Sequence, residues 1–163
     1  MPDLLTGYDL FVKRWSWLFP FIFFLHILEE YFGGFHLWIS GITGKEPSIS
    51  QFLIINILCL LIMIAGIISA MRAAYFRGLA VAFAVAVVIN SFAHFIAGIV
   101  TATYSPGVFT GMLLWLPAGV YTIYLANKAL EKSRLTVMIL TGVGLHLAVF
   151  IVGIIGGTAL SNK

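Results

Sequence analysis

The run Trp17-Leu18-Phe19-Pro20-Phe21-Ile22-Phe23-Phe24-Leu25-His26-Ile27-Leu28-Glu29-Glu30-Tyr31-Phe32-Gly33-Gly34-Phe35-His36-Leu37-Trp38 decides the fold. It is apolar almost throughout and spans the roughly 20 residues that a helix needs to cross a hydrocarbon core. Four further stretches share that character: residues 51–70, 79–101, 107–126 and 136–158. Chain breakers separate them. Gly41, Gly44 and Pro47 interrupt the first connection, and Tyr104-Ser105-Pro106-Gly107 makes a tight third one. The expected fold is all-α, a polytopic membrane helix bundle of about five transmembrane helices in a single domain.

Composition agrees. Of 163 residues, 61% are hydrophobic and 9% are charged, against roughly 25% charged in a soluble domain. The net charge of +3 comes from basic residues scattered along an apolar chain. They form no patch that would hold nucleic acid, which is excluded as a partner. One cysteine, Cys59, rules out a disulfide framework and any cysteine-based zinc motif; it reads as a packing residue. Met1-Pro2-Asp3 lacks the basic start of a secretory signal, so the first apolar stretch is expected to be a retained helix.

Charge asymmetry sets the expected orientation. Lys13, Arg14, Arg72, Arg77, Lys128, Lys132 and Arg134 fall on one side, and only Lys45 and Lys163 on the other. Basic loops stay in the cytoplasm, so the N-terminus is placed inside and the C-terminus outside, in a plasma membrane of bacterial type. The spacings Gly107-x-x-x-Gly111 and Gly153-x-x-x-Gly157 allow close helix contact, within the chain or in a homo-oligomer. Trp115 sits mid-helix, facing lipid or lining a pocket.

Polar groups inside the first span need a reason. Counting from Trp17, His26 lies roughly 14 Å deep and Glu29 and Glu30 roughly 18–20 Å deep, near the middle of the bilayer. A charge there costs about 2.5–3.5 kcal/mol. Three- and four-residue spacings put all three on one broad helix face. Asn90 and His94, at i and i+4 on the third span, and His146, on the fifth, fall in the same layer; Asn56 approaches its rim. Three chemistries suit such a layer: a metal site, a protonated glutamate serving as general acid, or a proton or ion relay. Structural pairing of buried polar groups is the bland alternative, and His36 reads as an interfacial residue. Two histidines four apart do not flank a glutamate here, so the zincin mechanism is not indicated.

At His26-Ile27-Leu28-Glu29-Glu30, with Asn90-Ser91-Phe92-Ala93-His94 and His146 behind it, the chain resembles the HXXEE family of small multi-helix membrane proteins. The resemblance implies the site more than an activity. The expected function is a membrane-embedded metalloprotein, an enzyme acting on a membrane lipid or other apolar small molecule. Its candidate ligands for a divalent metal, zinc or iron, are His26, Glu29, Glu30, His94 and His146. Glu29 and Glu30 are the candidate catalytic acid and base, and Asn90 orients a ligand or substrate oxygen. Phe23, Phe92, Phe95 and Trp115 are candidates to line an apolar pocket. Two alternatives stand beside this: a metal-free isomerase or cyclase with a buried glutamate as general acid, and a proton- or metal-linked small transporter or accessory subunit.

Overall fold

The computed structural model describes residues 6–44 and 47–159, with side chains up to residue 153. Met1-Pro2-Asp3, Lys45, Lys163 and the side-chain surroundings of Gly157 lie outside the described residues.

Thr6 opens the chain's first helix by a capping box, accepting from the Asp9 N–H while the Asp9 carboxylate accepts from Thr6. Helix α1 (Gly7–Trp15) buries Tyr8, Phe11 and Val12 and leaves Leu10 and Trp15 exposed. Asp9 pairs with Arg77, and the Tyr8 hydroxyl donates to the Arg77 carbonyl at 2.5 Å. The chain then bends by 49° into α2 (Leu18–Phe32).

Helix α2 is shorter than the expected span over residues 17–38. Its 15 residues reach roughly 22 Å. Gly33-Gly34 ends it: Gly34 has φ 71°, a left-handed conformation that glycine adopts without a Cβ clash, and a separate helix α3 (Phe35–Thr43) follows. His36 therefore belongs to α3, half-buried. Ser48 and Gln51 form a second capping box at the start of α4 (Ile49–Arg72). A 3-10 turn leads into α5 (Gly78–Thr101), followed by α6 (Val108–Ala129) and α7 (Lys132–Ala159). Helices α4 to α7 are each long and apolar enough to cross a membrane, and the bent pair α1–α2 counts as a fifth, broken span. The protein is an all-α membrane bundle of four to five spans.

Helix α5 forms the centre, because its small and branched residues Ala80, Val81, Ala82, Ala84 and Val87 are all buried. Helices α4, α6 and α7 pack around it. Glycines permit two of these approaches. A Cβ on Gly142 would lie 2.4 Å from the Ala82 carbonyl oxygen, and one on Gly119 would lie 2.9 Å from that of Ala84. Of the spacings noted in the sequence, Gly111 packs against Ser91, whereas Gly153 meets nothing within 4 Å. Arg77 and Arg134 gather at one end, where Arg134 donates to the carbonyls of Ala74 and Tyr75.

Candidate metal centre in the bundle interior

His26 and Glu30 are one turn apart on α2, so they share a face, and that face meets His94 of α5. The Glu30 Oε1 atom lies 3.6 Å from His26 Nε2 and 3.4 Å from His94 Nε2. One ligand atom from each residue falls within 4.8 Å of the others, and all three side chains are buried. A tetrahedral centre with bonds of about 2.1 Å places its ligand atoms roughly 3.4 Å apart. The donor set, two imidazole nitrogens and a carboxylate oxygen, is one that zinc and iron accept. Donor chemistry and spacing both fit a divalent ion.

The ring of His26 is held in the orientation this requires. Its Nδ1 lies 2.8 Å from Thr110 Oγ1, and that hydroxyl donates to Glu29 Oε2 at 2.5 Å. With the Thr110 proton committed to a carboxylate, His26 Nδ1–H must be the donor, and Nε2 carries a lone pair toward Glu30 and His94. The Asn90 amide nitrogen sits 3.2 Å from that Nε2 and donates to it. On the other side, His94 Nδ1 contacts Ser105 Oγ at 3.2 Å, which directs its Nε2 inward. Imidazole ligands oriented through the second nitrogen are the usual support of a metal site.

Glu29 does not join the three. Successive helix residues point about 100° apart, so while Glu30 faces α5, Glu29 faces the connection between α5 and α6. There it accepts from the Tyr104 hydroxyl (2.7 Å), from the backbone N–H groups of Gly107 (3.0 Å), Phe109 (2.9 Å) and Thr110 (2.7 Å), and from Thr110 Oγ1. Its oxygens fill the anion-seeking N-terminus of α6. The Tyr104 hydroxyl is pushed up to about 12 by partial burial and by its bond to this carboxylate. The expected ligand role of Glu29 gives way to one of orientation, acting through Thr110.

Gly107 closes the site. At φ 100° it tucks beneath both rings, where a Cβ would stand 2.7 Å from His26 Cε1 and 2.8 Å from His94 Cε1. Gly107→Ala is expected to force the imidazoles apart and strain the backbone, costing about 1–3 kcal/mol, read as a lower melting temperature in detergent.

Helix α6 grips His26 twice. Residues 111–115 form a π-turn, with the Leu116 N–H bonded to the Gly111 carbonyl. Such a turn stacks i over i+5, so Thr110 and Trp115 emerge on one side. Thr110 bonds the ring edge, and Trp115 stacks on the ring face at 4.2 Å between centroids. Trp115, 3% exposed, thus lines the interior rather than facing lipid, and its indole N–H has no partner among the described residues.

A cavity of about 300 Å³ opens from the centre. His146 and Asn56 line it with Asn90 and Phe23. His146 nevertheless contributes no atom to the ligand cluster. Phe92 and Phe95 are 45% and 42% exposed and are not among the residues lining this cavity. The sequence reading placed Tyr104, Ser105 and Gly107 in a turn and Thr110 in the fourth span, and named none of them as site residues. The run of small and hydroxyl-bearing residues from Tyr104 to Thr110 was the available signal.

A family model described as "Protein of unknown function with HXXEE motif" matches residues 17–122, more than half of the chain. No curated protein and no solved structure matches it.

Proposed function

This chain belongs to the HXXEE family, and on that premise we propose that it is a membrane-embedded, metal-dependent enzyme acting on a lipid-like substrate. The observation that carries this reading is the convergence of three buried donor atoms, from His26, Glu30 and His94, on the wall of an apolar cavity. Polar groups that only pinned helices together would need no adjoining space. Two imidazoles and one carboxylate leave positions open for substrate, which suits hydrolysis with zinc or oxidation with iron. A divalent ion held there supplies Lewis acidity toward a substrate oxygen or a water molecule.

The remaining residues bind and orient. Thr110 and Glu29 fix the His26 ring, and Ser105 fixes that of His94. Asn90 releases the His26 lone pair and turns its N–H toward a substrate oxygen. Trp115 holds the face of the His26 ring by stacking on it. We place the basic end, with Arg77 and Arg134, in the cytoplasm, so that α3 and the start of α4 lie toward the outside.

Protein purified without chelator is expected to carry close to one equivalent of zinc or iron by elemental mass spectrometry. Less than about a tenth of an equivalent, in protein that also fails to take up added metal, would remove this reading.

A further inference from the structure

The cavity has charged and amide-bearing residues in its middle, apolar ones below them, and apolar ones together with Thr43 and Gln51 above. Below the centre it continues past Asn90 to Phe83 on α5 and past Asn56 to Met63 on α4, seven residues in each case and so roughly 10 Å. Helices α4 and α5 close it there: a Cβ on Gly66, one turn beyond Met63, would already meet the Phe83 ring at 2.5 Å. Above the centre, Phe35 and Ile39 of α3 and Phe52 and Ile55 of α4 line it. Helices α4 and α7 carry exposed residues of its wall. Ile62 and Phe150 both line the cavity and are 58% and 55% exposed.

The geometry points to a linear amphiphile whose polar, oxygen-bearing group is internal, with an apolar arm on each side. One arm fills the closed end beside Met63 and Phe83, the polar group meets His26, Glu30 and His94, and the other arm leaves between α4 and α7 into the bilayer. A terminal head group does not match this cavity, because seating it at the centre leaves the closed end empty, and apolar surface is best covered by apolar chain. The inference rests on the centre described above being where substrate is bound.

Cys59, the single cysteine of the chain, lines the closed half one turn below Asn56 and reports on it directly. In lipid nanodiscs, alkylation of Cys59 by N-ethylmaleimide is followed by intact mass with either of two isomeric amides present. These are N-octyldecanamide, with the amide internal, and octadecanamide, with the amide terminal. The internal amide is expected to slow alkylation at least about fivefold more than the terminal one, as occupancy of a shape-matched pocket requires. Equal protection, or none from either, overturns the inference. So does a Cys59 that never reacts, since the cavity would then be sealed from the bilayer. The comparison is made on metal-stripped and zinc-loaded protein. A preference that persists in protein unable to hold zinc leaves this inference standing and removes only the metal-dependent chemistry.

Discussion

Glu29→Ala is expected to lose most of the folded protein, with a stability cost of about 3–5 kcal/mol, although its neighbour Glu30 tolerates replacement. The Glu29 carboxylate satisfies three backbone N–H groups and two hydroxyls of the Tyr104–Thr110 segment. Without it, the N–H groups of Gly107 and Thr110, buried and half-buried, lose their acceptor at about 1–3 kcal/mol each, while the Tyr104 and Phe109 donors stand at the exposed surface and lose less. Glu29→Gln recovers part of the loss, because the amide keeps one accepting oxygen but turns two N–H donors toward other donors. The measurement is the melting temperature in detergent, together with the yield of monodisperse protein. A Glu29→Ala protein as stable as the wild type would show that the α5–α6 connection holds itself.

Glu30→Gln is expected to act the opposite way: metal content falls from near one equivalent to below about a tenth, while the melting temperature of the stripped protein barely changes. Glu30 has no hydrogen bond to backbone among the described residues, only the two imidazoles 3.4 and 3.6 Å away. Little packing is lost when its charge goes, and removing an uncompensated buried charge is close to neutral or favourable. Thr110→Val, which cuts the link between Glu29 and His26 while keeping volume, should weaken metal binding by the 10–100-fold typical of a lost supporting partner. If Glu30→Gln kept its metal, the centre would have to be sought elsewhere in the bundle.

The two adjacent acids show how far sequence could carry the site. Hydropathy and breakers located the spans because each of α4 to α7 is a long apolar run with polar punctuation. The three- and four-residue spacings put His26, Glu29 and Glu30 on one broad face, and the depth count put His94 and His146 in their layer; of these five, the structure brings His26, Glu30 and His94 together. Depth, however, does not give direction around a helix axis. Glu29, one residue from Glu30, points a quarter-turn away, and His146 reaches the cavity wall without reaching the ligand cluster. Direction came from α6, whose π-turn and positive-φ Gly107 bring Thr110 and Trp115 onto His26. Neither feature leaves a periodic trace in the sequence. The early end of α2 was more legible, since Gly33-Gly34 stood in plain view within a run that hydropathy alone treated as continuous.

The hold of Glu29 on the Tyr104–Thr110 segment has a consequence for biogenesis. The acid belongs to the first span and its partners to the start of α6, 75 to 81 residues later. At about 5–20 residues per second, a nascent chain spends roughly 4–16 s with that carboxylate made and its donors still unsynthesised. Helix α2 on its own therefore carries two unmet acids. The contacts that hold them are complete only when the ribosome has delivered the start of the third of the long helices, so the final seating of the beginning of this protein is expected to follow synthesis of its later half.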